Sequence, residues 1–162
     1  MMGEKAMSEK ASRVDSIFVA LEMEKRGHDL YVRAQQLVDD PELIALLKRL
    51  AADEVLHHKQ FEAMLEDLGE MRVTREEAAL SKARAADVFL PGGLMQVAME
   101  GALDSTAAML EEAIKAEQDS IVFYGTLLEH VSKQQQGIIA EIIRQEENHL
   151  QVLLERKNRQ NA

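Results

Sequence analysis

Apolar side chains recur at alternating steps of three and four along four stretches of this 162-residue chain. That is the period of a helix with one face turned to a core. The first stretch runs from about Val14 to Val38 and breaks at Asp39-Asp40-Pro41, where an Asp cap and a proline at the first helical position open the second. The second runs from about Glu42 to Asp67 and is stopped by Gly69. A long connection, from about Gly69 to Asp104, contains Thr74-Arg75-Glu76-Glu77, a capping-box pattern that predicts a short helix. Pro91-Gly92-Gly93 breaks the connection, and another helical piece is expected from near Leu94. Asp104-Ser105-Thr106 either caps the third long helix or lies within a longer one. The third helix carries through to about His130, Ser132 is placed to cap the fourth, and the fourth runs to about Arg156. The expectation is an all-α fold: residues 14–157 as one four-helix bundle made of two hairpins joined by a crossover over 69–104, a polar frayed start over 1–13 and a tail over 158–162.

The stripes have interruptions, and these carry the chemistry. The second helix reads Leu47, Leu50, Glu54, His57, Phe61, Met64, Leu68, and the fourth reads Ile139, Ile142, Glu146, His149, Leu153. The first reads Ile17, Leu21, Glu24, His28, Tyr31, and the third Leu110, Ile114, Glu117, Ile121, Tyr124. Each helix places ionisable groups where its own periodicity calls for hydrocarbon. The two halves also repeat: Glu24 and Glu117 are 93 residues apart, and the two Glu-x-x-His motifs, Glu54 to His57 and Glu146 to His149, are 92 apart.

Composition narrows what those groups can be for. A formal charge of −10 argues against a protein that neutralises nucleic-acid phosphates. Zero cysteines exclude zinc-thiolate sites, iron–sulfur clusters and a built-in cysteine-ligated iron centre. The chain has no apolar run near the ~20 residues that span a bilayer, and its start has no apolar segment of the secretory type. A cytoplasmic protein that binds neither membrane nor nucleic acid is therefore expected.

Four buried carboxylates facing one another would have to take up protons unless cations neutralise them. A Glu and a His three residues apart project from one helix face and can reach one ion. Depth adds an independent argument. Glu24 and Glu117 lie 15 residues before Asp39 and Ser132, while Glu54 and Glu146 lie 14 residues after Asp40 and Ser132. At ~1.5 Å per residue all four sit roughly 21–22 Å from the hairpin turns. Two metal ions are therefore expected, with Glu24, Glu54, His57, Glu117, Glu146 and His149 as ligands, and Glu54 and Glu146 as the bridges between them. Carboxylate oxygens with one imidazole per ion suit Fe or Mn, with Zn or Co as alternative occupants.

On these residues the chain resembles the ferritin-like superfamily, and within it the rubrerythrin-like proteins. The resemblance covers about residues 14 to 156. It implies a ferritin-like bundle with a non-haem di-iron centre that reacts with peroxide or dioxygen, and two Fe ions as cofactors. Four departures are visible. Ser120 stands where rubrerythrins carry a further glutamate, three residues after the ligand of the third helix. The cysteine-ligated rubredoxin domain is missing, so a peroxidase of this kind needs an external electron donor. Val55 stands where bacterioferritins place a haem-ligating Met, so no haem is expected. Too few residues follow the fourth helix for the fifth helix of ferritin cages, so a storage shell is not expected.

Around the ligands, Tyr31 and Tyr124 each follow a ligand glutamate by two helical turns and are expected to bond the site carboxylates, besides filling the core. Asp53 and Gln145, immediately before the motif glutamates, are candidates to orient the histidines. His28 takes the place of Ile121 in the other half and is either a core histidine or a third imidazole near the metals. His58 and His130 are expected at the surface, and Glu22, Glu111, Glu112 and Glu147 are expected to be solvated. The expected function is a rubrerythrin-type oxidoreductase that reduces peroxide or dioxygen. The alternatives are an iron-handling ferroxidase and a non-catalytic bundle whose metals are structural. A homodimer is the expected assembly, with the crossover as a route for chain exchange.

Overall fold

The computed structural model describes residues 2–69, 74–88 and 105–161. It contains α1 (Met2–Gln35), α2 (Pro41–Gly69), α3 (Arg75–Val88), α4 (Thr106–Leu127) and α5 (Lys133–Asn161), with a single 3-10 turn, Leu128–His130, between the last two. The described residues contain no strand, and none of their helices is long and apolar enough to cross a membrane.

Local chemistry accounts for most of the boundaries. Asp40 accepts the Glu42 N–H at 3.0 Å, which caps α2 with Pro41 at its first position. Thr74 and Glu77 form the reciprocal capping box that opens α3: the Glu77 N–H donates to Thr74 Oγ1 at 3.1 Å, and the Thr74 N–H donates to Glu77 Oε2 at 3.0 Å. The Ser105 hydroxyl accepts the Ala108 N–H at 3.0 Å, so the open alternative at that boundary resolves as a cap. Ser132 caps α5 through the Gln135 N–H at 3.3 Å.

Three boundaries differ from expectation. The segment expected to fray is helical, and α1 reaches back to Met2. Its residues are good helix formers, and polarity alone does not break a helix that a long neighbour already nucleates. At its other end α1 stops at Gln35, before Val38, with turn hydrogen bonds from Gln36 and Leu37 to Arg33 and Ala34. At the far end of the chain, α5 continues past Arg156 to Asn161. The break at Pro91-Gly92-Gly93 and the helical piece from Leu94 lie outside the described residues.

Helices α1 and α2 form one hairpin, α4 and α5 the other, and the hairpins meet mainly through α1 and α4, while α3 lies on α1. A buried Ala85 and the Arg84–Asp15 ion pair at 2.7 Å hold α3 there. Arg156, nearly buried on α5, pairs with Asp40 and, at 3.5 Å, with Glu42, which ties the end of α5 to the start of α2.

The apolar interior falls into two clusters. One contains Ile17, Leu21, Phe61, Met64, Tyr124, Leu127, Ile139 and Ile142. The other contains Leu30, Tyr31, Leu43, Leu47, Leu50, Leu110, Ile114 and Leu153. In every long helix the stripe glutamates and histidines lie between that helix's members of the two clusters. The bundle thus has hydrocarbon at both ends of its core and a polar layer across the middle.

Candidate metal centre

The polar layer is buried. Glu24, Glu54, His57, Glu117, Glu146 and His149 all have less than 5% of their surface exposed. Their positions follow from the helix period: Glu54 and His57 on α2, and Glu146 and His149 on α5, occupy successive turns of one face. Glu24 and Glu117 are brought opposite them from α1 and α4.

These residues form two overlapping groups. Glu24, Glu54, His57 and Glu146 make one, and Glu54, Glu117, Glu146 and His149 make the other, with the donor atoms of each lying within 4.8 Å of one another. His57 Nδ1 is 3.5 Å from Glu24 Oε2, 2.6 Å from Glu146 Oε1 and 3.9 Å from Glu54 Oε2. His149 Nδ1 is 3.4 Å from Glu117 Oε1, 3.5 Å from Glu146 Oε2 and 3.6 Å from Glu54 Oε1. Glu54 and Glu146 therefore turn one oxygen to each group. The two rings lie 5.9 Å apart at 25° to each other.

Although these atoms are close, they do not satisfy one another. Both histidine Nδ1 atoms, both oxygens of Glu146, Glu24 Oε2 and Glu117 Oε2 are buried without a hydrogen-bond partner. The 2.6 Å approach of His57 to Glu146 is short enough for a hydrogen bond but is not directed as one. The donor atoms of each group lie close enough together that the group could hold a metal ion.

Hydrogen bonds from outside the layer hold four of these side chains. The Tyr31 hydroxyl donates to Glu117 Oε1 at 2.5 Å and that of Tyr124 to Glu24 Oε1 at 2.6 Å, so each half of the chain holds the other half's glutamate. His57 Nε2 meets Gln145 Oε1 at 2.6 Å and His149 Nε2 meets Asp53 Oδ2 at 2.9 Å, again across the halves. Gln145 Nε2 donates to Glu141 Oε1 at 3.1 Å, which orients the amide with its oxygen toward His57. With Nε2 committed outward, Nδ1 of each ring is the lone pair left for the centre.

Electrostatics give the same account. Burial, with Glu54 beside it, pushes the Glu24 carboxyl well above the usual range, and burial with Glu146 and Glu117 raises that of Glu54. Burial and Glu146 push Glu117 up to about 8. Burial by itself would lower the two imidazoles. The carboxylates outweigh it: Glu146, Glu24 and Glu54 hold His57 far above its ordinary value, and Glu117, Glu146 and Glu54 do the same for His149. Burial, then Glu117, raises the Tyr31 phenol, and burial, then Glu24, raises that of Tyr124, so both remain donors. Without a cation the layer retains protons, and a divalent ion would displace them.

No known protein family, curated protein or solved structure matches this chain.

His28 stays outside. Its side chain is 37% exposed and lies 3.2 Å from Asp29, so no third imidazole joins the layer. Ile121, its counterpart in α4, is likewise only partly buried. Both lie four residues, ~40° of helix rotation, from a layer glutamate, at the rim of the stripe. His58 pairs with Glu62 at 2.8 Å, and His130 is exposed, as are Glu111 and Glu147, while Glu22 and Glu112 are partly buried.

Two features were not read from the sequence. Gly27 lies against Glu54, where a Cβ would sit 3.4 Å from the carboxyl carbon. Together with Ser120 it lines a cavity of about 30 Å³ between α1 and α4 that reaches Glu54 and Glu117. The signal was available: Gly27 and Ser120 are repeat counterparts, each small and each three residues after a layer glutamate. The other is Glu141, four residues before Gln145 and hence on its face.

Proposed function

We propose that the polar layer holds two first-row transition-metal ions, iron by preference, and that the protein is a non-haem di-iron oxidoreductase of rubrerythrin type that reduces peroxide or dioxygen. The observation that carries this reading is the pair of overlapping ligand groups sharing Glu54 and Glu146, in which both histidine Nδ1 atoms, both Glu146 oxygens, Glu24 Oε2 and Glu117 Oε2 are buried without a hydrogen-bond partner. One His with carboxylates per ion is a hard, oxygen-rich set that favours iron or manganese over a thiophilic metal. In this arrangement Glu24 and His57 would hold one ion and Glu117 and His149 the other, with Glu54 and Glu146 belonging to both groups.

Iron held there would supply the redox chemistry for reducing an O–O bond. The chain's residues do the rest. Tyr31 and Tyr124 fix the terminal carboxylates Glu117 and Glu24, and Asp53 and Gln145 fix the imidazoles. Gly27 and Ser120 leave beside Glu54 and Glu117 a space with room for one or two water-sized molecules. The overall conversion, peroxide with two protons and two electrons to two waters, draws its electrons from an external donor.

Anaerobic loading with ferrous ion, followed by stopped-flow mixing with peroxide, tests the proposal. Two ions per chain, oxidised much faster than ferrous ion in buffer and re-reduced for repeated turnover by a donor, are expected. Oxidation no faster than in buffer overturns it. Iron accumulation well beyond two per chain points instead to iron handling.

A further inference from the structure

The two halves of the centre match in almost every respect. Each has a terminal glutamate held by a tyrosine from the other half, a histidine facing inward through Nδ1, and a share of the same two bridging carboxylates. They differ in what lies behind the imidazole. His149 Nε2 faces the carboxylate of Asp53, whereas His57 Nε2 faces the neutral amide oxygen of Gln145. Asp53 and Gln145 are repeat counterparts, each one residue before its motif glutamate. Both contacts are at hydrogen-bond length, 2.9 and 2.6 Å, so the difference lies in the charge of the acceptor.

That charge matters to a metal. A hydrogen bond to an ionised acceptor is roughly twice as strong as one between neutral groups, and it pushes electron density through the ring to the coordinating nitrogen. A neutral amide does so much less. Gln145 is also bonded through its own N–H to Glu141, so the nearest full negative charge behind His57 stands one amide further out, where it pairs with Arg144. Among the described residues, the fixed orientation of that amide puts its neutral oxygen, and no carboxylate, against His57 Nε2.

We infer that the two metal positions are unequal by construction: the His149–Glu117 position, backed by Asp53, is the tight, first-filled one, and the His57–Glu24 position, backed by Gln145, is the weak, exchangeable one. The inference rests on the two-metal reading of the layer. It makes Asp53 and Gln145 positioning residues that set an order of occupancy. It also places the first-filled ion beside the cavity, since Glu117, unlike Glu24, bounds that space together with the shared Glu54.

Stepwise titration of the metal-free protein with Co²⁺, followed by calorimetry and by the visible bands of the bound ion, separates the possibilities. Wild type is expected to bind two ions in two resolved steps. Asp53→Asn should weaken the first step by about 10–100-fold and leave the second nearly unchanged. The double exchange Glu141→Gln/Gln145→Glu puts a carboxylate behind His57 without altering net charge, and it should strengthen the second step while sparing the first. It reports independently of Asp53→Asn, and circular dichroism establishes that each variant retains its helix content. If both variants shift both steps alike, the effect is general charge and the inference is overturned. It is equally overturned if neither variant moves either step. Failure of wild type to bind two ions removes the two-metal reading itself, a result distinct from two ions bound with steps indifferent to Asp53.

Discussion

Replacing Tyr31 by Phe removes one atom from a close-packed interior and leaves the ring in place. In wild type the hydroxyl donates to Glu117 Oε1 at 2.5 Å, and both residues are buried. What that bond is worth depends on the charge of its acceptor. In the metal-free protein near neutral pH Glu117 is largely protonated, because burial and Glu146 push its carboxyl up to about 8. A hydrogen bond to a neutral group contributes about 0.5–1.5 kcal/mol. Metal binding deprotonates Glu117, and a bond to a charged acceptor contributes about 1.5–3 kcal/mol. Tyr31→Phe should therefore cost the metal-loaded protein roughly 1 kcal/mol more than the metal-free one. For a chain of this size that extra cost corresponds to about 2–4 °C in the melting midpoint. Thermal melts by circular dichroism, with chelator and with saturating Co²⁺, measure both losses. Tyr124→Phe, which frees Glu24, should behave in the same way. Equal losses with and without metal would refute the reasoning, since the hydroxyls would then be ordinary core hydrogen bonds.

Three further outcomes are expected. Glu117, Glu24 and Glu54 all have folded values raised above the unfolded one, so the stability they contribute is full below about 4.5 and is lost as pH rises, for Glu117 through about 8. The raised histidines act in the same direction above their ordinary 6.5. Urea midpoints of the metal-free protein should therefore fall between about pH 5.5 and about pH 8.5 while metal affinity rises, and a midpoint that climbs over this interval would contradict the assignment. Glu54→Leu should abolish binding of both ions, because Glu54 belongs to both groups, whereas His57→Ala should leave one; the same Glu54→Leu should stabilise the metal-free protein by about 1–4 kcal/mol, as hydrocarbon replaces a buried ionisable group. Gly27→Ala should raise the melting point by an amount equivalent to up to ~1 kcal/mol, since helix propensity favours Ala and the new Cβ meets Glu54 at ordinary contact distance; a loss would mean that the carboxylate cannot tolerate it.

Much of this protein was legible before any tertiary contact was known. Helix period and capping chemistry are local, so the all-α class, the Asp40, Thr74 and Ser132 caps and the stripes of α2 and α5 could be read from neighbours in the chain. The convergence of the six layer residues was legible for the same reason. Spacing of three within a helix and matched distance from the turns set their face and depth, and a repeat supplied each twice. The less legible parts depend on rotation and on which helix lies beside which. A rotation of ~40° put His28 at the rim and not in the layer, a distinction that alternating steps of three and four cannot resolve. Polarity suggested a frayed start, but a segment of mostly strong helix formers (Glu, Lys, Ala and Met around Gly3, Ser8 and Ser12) extended α1 to Met2. Only the packing of α1 against α4 and of α2 with α5 decided that each tyrosine holds the other half's glutamate. The same packing decided that Asp53 stands behind His149 while Gln145 stands behind His57, and that Gly27 and Ser120 face a common cavity. The sequence by itself determined which side chains must share a buried layer, because burial and period are properties of one helix. The tertiary structure decided which atom of each faces which partner, because a hydrogen bond is directional and its two ends here lie 86 to 100 residues apart.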